Sequence, residues 1–102
     1  EVVLVVVLNM KNEINAIHRV FTGSLNTSVA HPREIFRTAI INNGAKIMLF
    51  HNHPSGDTEP SEADFAFTRR VVDCGDMLGI EVIDHIIIAD NEYLSLREQG
   101  LM

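Results

Sequence analysis

The sequence predicts an α/β domain, a mixed β-sheet flanked by helices, and three observations predict it. Short apolar, β-branched runs recur along the chain, two segments between them carry apolar residues at helical spacing, and the turn-forming residues fall between these segments rather than inside them. The resulting order is β-β-α-β-α-β, followed by a last short strand or helical turn. At 102 residues the chain is one domain, 1–102, with no room for a second independent core.

Residues 2–8 are almost wholly apolar and β-branched, as in a buried strand. Lys11-Asn12-Glu13 is a turn and residues 14–21 a second strand, so the pair reads as a hairpin. A loop is expected over Gly23 to Ser28. Pro32 opens a helix as a pre-set first residue, Ile35, Phe36, Ala39 and Ile40 form its apolar face, and Asn43-Gly44 ends it. Residues 46–50 form a short buried strand, and 51–60, rich in Pro, Gly, Asp and Asn, a loop. The strongest helix runs over 61–78. Phe67, Val71, Cys74 and Leu78 make its apolar stripe, Glu62, Arg69, Asp73 and Asp76 its polar face, and Gly79 its stop. Residues 80–89 are a strand, Asp90-Asn91 a turn, and 93–102 the closing strand or helical turn.

Composition excludes several function classes. Eight basic residues against fourteen acidic ones give a net charge of −6, which repels a phosphate backbone, so direct nucleic-acid binding by this domain is not expected. Arg33 with Arg37, and Arg69 with Arg70, read as solvated helix faces. Cys74 is the single cysteine, which rules out an internal disulfide and a cysteine zinc site and suits a reducing, cytoplasmic location. The longest apolar run is too short to span a bilayer and lacks the marks of a signal peptide, so no membrane role is expected. Glu1 stands at the very start of a strand with no initiator Met, so the chain is expected to be a piece of something longer.

The chemistry concentrates in His51-Asn52-His53-Pro54, followed by Ser61 and Asp64. On extended backbone, residues two apart point to one side, so His51 and His53 present both imidazoles to one point as the chain leaves its strand. Asp64 sits three residues before Phe67 and seven before Val71. It is therefore a carboxylate on the inward stripe, where a charge is costly unless paired or metal-bound. Two His and one Asp meeting at a strand end and a helix start match a three-ligand catalytic zinc site with water in the fourth position. A plainer reading stands beside it. Ser61-x-x-Asp64 is also an ordinary helix start, with Ser as N-cap and an acid favoured by the dipole, and a lone His-x-His needs no metal. Their coincidence favours the metal, and the two readings are compatible.

These residues, with Ser55-Gly56 and Pro60, resemble the JAMM (MPN-type) metalloprotease motif: His-x-His-Pro, six residues, Ser, two residues, Asp, matched without a gap. Asn52 and Ser55-Gly56 point to its RadC-like branch, long described as DNA-repair proteins. Thr22-Gly23, Pro32-Arg33-Glu34 and Asp84-His85-Ile86-Ile87-Ile88 are softer similarities, and together they span essentially the whole chain. The resemblance implies an MPN fold, cytidine-deaminase-like, with a curved mixed sheet between helices. It also implies zinc-dependent hydrolysis of a peptide or isopeptide bond in a peptide or protein substrate. His51, His53 and Asp64 match the Zn²⁺ ligands and Ser61 the serine that supports the oxyanion. The family's general base is a glutamate at the start of an early strand. Glu1 matches that position best, with Glu34 as the runner-up. A helix-hairpin-helix segment upstream, outside this sequence, is also implied.

His85 alternates with core positions in its strand and either approaches the site or is a hydrogen-bonded core histidine, the second being favoured, and Asp84 is undecided. His18 and His31 are structural or exposed, Cys74 is a small core residue, and Phe65 faces a partner or the sheet edge. Two other functions compete with hydrolysis: an interaction module of MPN type that has lost its metal, and an accessory role in DNA repair or mobile elements. The intact His51, His53, Asp64 and Ser61 speak against the first, and the net charge against direct DNA contact in the second. A homo-oligomer is left open.

Overall fold

The computed structural model describes residues 1–22 and 31–102, with the backbone alone at Phe21 and Thr22. The loop expected over Gly23 to Ser28 lies outside the described residues. Seven elements follow in the order β1 (Val2–Leu8), β2 (Ile14–Thr22), α1 (Pro32–Ile41), β3 (Lys46–Asn52), α2 (Glu62–Leu78), β4 (Glu81–Ala89) and β5 (Glu92–Ser95). The strands form one sheet in the order β2-β1-β3-β4-β5. Only the β3–β4 pair, joined through α2, is parallel; β1–β2, β1–β3 and β4–β5 are antiparallel. The sheet is therefore mixed and the domain α/β, as the pattern predicts. Among the described residues no helix is long and apolar enough to cross a membrane.

Alternation along the strands decides what the helices cover. Val3, Val5 and Val7 of β1 pair in register with His51, Leu49 and Ile47 of β3, so all six point to one face. The three valines, Ile47 and Leu49 are fully buried there against Ile35, Phe36 and Ala39 of α1 and Phe67 and Val71 of α2. Each such side chain contributes about 1.5–3 kcal/mol of transfer free energy. Gly75 lets the end of α2 lie close to Ile80, since a Cβ there would strike the Ile80 carbonyl and crowd the Val82 side chain. Gly79, at φ 74°, ends the helix in the left-handed region.

Three expectations need correction, and one open alternative is decided. Strand β3 runs on to Asn52, so His51 lies inside the sheet and not in a loop, because its backbone still pairs with β1 and β4. Ile40 is 59% exposed; the short α1 buries only the stripe through Pro32, Ile35, Phe36 and Ala39, with Thr38 at its edge. The buried stripe of α2 is Asp64, Phe67, Thr68, Val71 and Gly75, while Leu78 is exposed and Cys74 half-buried. The closing segment is both of its alternatives in sequence: β5, then a turn from Leu96 to Gly100 with Leu96 fully buried.

Candidate metal centre

Three elements converge at one end of the covered face. His51 is the last inward residue of β3, buried to 2% exposure. Glu1 precedes Val3 by two positions, and Val3 pairs with His51, so alternation puts Glu1 on the same side. The Asn52 side chain fixes this edge, its Oδ1 accepting from the Val2 N–H at 2.7 Å. His53 leaves the sheet with its N–H donating to the Ile88 carbonyl at 2.9 Å, which holds it beside β4. Asp64 comes from the first turn of α2.

Asp64 is held by its own helix start. Ser61 is the N-cap: its Oγ accepts from the Asp64 N–H at 3.1 Å, and Asp64 Oδ2 accepts in return from the Ser61 N–H at 2.8 Å. This reciprocal pair is a capping box, and it aims the carboxylate inward. The helix-cap reading of Ser61 and Asp64 is therefore realised, and the same geometry delivers Asp64 to the two imidazoles. His51 Nε2 stands 3.2 Å from Asp64 Oδ1, and His53 Nε2 stands 3.0 Å from Asp64 Oδ2. The two Nε2 atoms are 2.9 Å apart, and Glu1 Oε1 is 3.7 Å from His51 Nε2. One ligand atom from each of Glu1, His51, His53 and Asp64 lies within 4.8 Å of every other. Glu34 is elsewhere, on the exposed side of α1 and 3.8 Å from Arg33.

Electrostatics bind the group together. Burial alone would raise the Asp64 carboxyl. The hydrogen bonds from His51 and the Ser61 backbone, with the nearby charge of His51 and His53, outweigh it and hold Asp64 well below the usual carboxylate range. His85 is pushed the other way for a base, down to about 3. Burial is the main cause and the charge of His51 adds to it, against smaller opposing pulls from Asp64 and Asp84. His85 is thus neutral at neutral pH.

The donor set fits a divalent cation of zinc type. Zinc bonds of about 2.0–2.1 Å at tetrahedral angles set neighbouring ligand atoms roughly 3.3 Å apart, and the His51, His53 and Asp64 atoms are 2.9–3.2 Å apart. His53 Nδ1 lies 2.8 Å from the Asp57 carbonyl, which can only accept, so Nδ1 carries a proton and Nε2 is the nitrogen turned toward the other ligand atoms. Nitrogens and carboxylate oxygens crowded this closely need protons or a cation between them, and one divalent ion would serve all of them at once.

Two neighbours of the site, Thr68 and the Asp57 carbonyl, escape a reading of the sequence, and a third, His85, joins both of its alternatives. His85 is a buried, hydrogen-bonded histidine as expected, but its partner is His51, with Nε2 2.7 Å from His51 Nδ1. Its other nitrogen is 2.6 Å from Thr68 Oγ1. Thr68, one turn after Asp64 on the inward stripe, was the one legible signal: a polar residue among core positions. The Asp57 carbonyl has none. Asp84 is structural, accepting from Ser95 Oγ and from the His85 and Arg97 N–H groups to anchor the turn after β5. His18 and His31 are exposed. Phe65 helps line a cavity of about 290 Å³ with Val72, Leu101 and Met102.

Sequence comparison gives this arrangement a family. The description "RadC-like JAB domain" matches residues 1–101. The chain belongs to the RadC-like JAB domain family. UPF0758 proteins are similar along its length: 55% identical over 102 residues in Clostridium beijerinckii, 50% over 102 in Latilactobacillus sakei and 52% over 100 in Enterococcus faecalis. These alignments cover 100%, 100% and 98% of this chain but only 44%, 46% and 43% of the relatives. The chain thus spans less than half the length of the curated relatives it matches. The five-stranded mixed sheet with its two helices is compatible with an MPN/JAB domain.

Proposed function

We propose that this RadC-like JAB domain is a zinc-dependent hydrolase of peptide or isopeptide bonds, with Zn²⁺ held by His51, His53 and Asp64. The convergence of these three side chains with Glu1, each offering a ligand atom within 4.8 Å of the rest, carries the reading. Zinc bound there would supply a Lewis acid that polarises a scissile carbonyl and lowers the pKa of a water toward 7. The protein's own groups do the rest. The Glu1 carboxylate takes a proton from the attacking water and hands it to the leaving nitrogen, which departs as a neutral amine. The Ser61 hydroxyl donates to the oxygen on which negative charge develops. The capping box keeps the Asp64 carboxylate ionised and fixed in direction. The substrate is a peptide or protein chain, and at −6 the domain has no duplex DNA role of its own.

The test is the zinc content of protein purified without added metal. Wild type is expected to hold one equivalent. His51→Ala, His53→Ala and Asp64→Ala are each expected to lose tight binding, since two remaining ligands hold the ion poorly. Equal zinc in wild type and all three variants would remove the site.

A further inference from the structure

We propose that Thr68 and His85 are positioning residues that turn the His51 lone pair toward the metal, through a one-way chain of hydrogen bonds that ends on the backbone of Asp64. The direction follows from one crowded contact. Thr68 Oγ1 lies 2.8 Å from the Asp64 carbonyl oxygen, and two oxygens that close repel unless a proton lies between them. A carbonyl has no proton to give, so the Thr68 hydroxyl donates its only one there. Thr68 Oγ1 must then accept from His85 Nδ1, 2.6 Å away. His85 is fully buried, and its ring nitrogens meet Thr68 and His51 rather than a carboxylate, so a single proton suits it; with that proton on Nδ1, its Nε2 accepts from His51 Nδ1 at 2.7 Å. With Nδ1 committed to His85, His51 presents Nε2 to His53 and Asp64, where a metal ion can take the place of the proton it shares with Asp64.

The chain also ties two ligands together. It leaves the ring of His51 and returns to the main chain of Asp64, so β3, β4 and α2 are locked in one arrangement around the site. A β-bulge puts His85 in reach. Ile47 of β3 pairs with Val82 and Met48 with Asp84, so Ile83 is an extra residue, and the alternation shifts to bring His85 to the same face as Leu49. Without it His85 would point to the other side of the sheet. Metal-bound histidines generally donate their remote N–H to a carboxylate, carbonyl or water. A neutral imidazole in that place adds no third negative charge beside Glu1 and Asp64.

The proton directions stand on these distances and on the burial of His85; their effect on affinity rests on the zinc reading above. Two measurements separate them. Long-range ¹⁵N–¹H correlation spectra of zinc-free wild type should show His85 protonated on Nδ1 and bare on Nε2. A proton on Nε2 of His85 would reverse the chain and overturn the proposal, whether or not zinc binds. Competition with a chromophoric chelator then reads zinc affinity. Thr68→Val, of the same shape without the hydroxyl, should weaken it by roughly 10–100-fold, the usual cost of losing such a partner, and His85→Gln similarly. Thr68→Ser should restore it, which a packing role for the Thr methyl would not allow. Wild-type affinity in Thr68→Val, or a Thr68→Ser as weak as Thr68→Val, would overturn the proposal. Wild type that binds no zinc but shows the Nδ1 pattern would sink the zinc reading and leave the chain intact.

Discussion

The two histidines of the motif stand two residues apart, yet the protein holds them by opposite means. His51 is a strand residue with no exposed side-chain surface, and its remote nitrogen meets a side chain, His85. His53 is a loop residue whose side chain is 13% exposed, and its remote nitrogen meets main chain, the Asp57 carbonyl. The first is built from buried side chains on three elements, the second from the path of one short loop turned by Gly56 at φ 88°. Orientation by side chains is sensitive to substitution at several distant positions, whereas orientation by a carbonyl depends only on the backbone staying in place. Glu1 belongs with the strand half, through β1, and Ser61 with the loop half, at the entry to α2.

The largest expected effect compares those two partners. Glu1→Gln should keep zinc, because Glu1 is the proposed base and not a proposed ligand, and should lose activity on any cleavable peptide by roughly 10²–10⁴-fold. Ser61→Ala should also keep zinc and lose roughly 10²-fold, the usual worth of one oxyanion donor. It should in addition lose about 1 kcal/mol of stability, because its Oγ caps α2. Glu34→Gln should be fully active. Steady-state rates taken well below the melting point decide the matter, and an inactive Glu34→Gln beside an active Glu1→Gln would move the base to α1.

Acid should strain the strand half. In the unfolded chain His85 takes up a proton near pH 6.5, whereas the folded pocket keeps it neutral down to about 3. The unfolded state then holds the extra proton, so this contribution is complete above pH 6.5 and is lost as pH falls from 6.5 toward 3. Asp64, held below its ordinary 3.8, acts in the same direction but at lower pH. Urea unfolding of zinc-free protein should therefore show a loss of about 2–3 kcal/mol between pH 7.5 and 4.5 from His85. His85→Gln should flatten the profile; an equal slope in wild type and variant would show that His85 does not carry it.

How far the sequence could be read follows the same division. Elements whose apolar period is clean, β1, α1 and α2, were legible, and so was the meeting of His51, His53 and Asp64, because His-x-His at a strand exit and an acid on a helix stripe are local patterns. The end of β3 was not. Pro54 and the polar run after it resemble a loop from His51 onward, but pairing with β1 and β4 holds His51 and Asn52 in the sheet. The bulge at Ile83 was equally hidden, since no Gly or Pro marks it, and with it went the true partner of His85. Long-range pairing decided both points, and a single sequence does not contain it.

The smallest expected effect is the sharpest test of the comparison. Asp57 supports His53 through its carbonyl, and its side chain only accepts from the Glu59 N–H at 2.9 Å within the exposed loop. Asp57→Ala keeps the carbonyl and removes that one local bond, at a cost typically within ±0.5 kcal/mol for a surface change. Zinc affinity measured by chelator competition should then stay within about threefold of wild type, because the partner of His53 is untouched. Thr68→Val, although farther along the chain from either histidine, should cost far more, because it breaks a partner made of side chains. If Asp57→Ala instead weakens zinc as much as Thr68→Val, the side chain of Asp57 is what holds the loop in its path. His53 would then depend on side chains as His51 does, and the two halves of the site would be built alike.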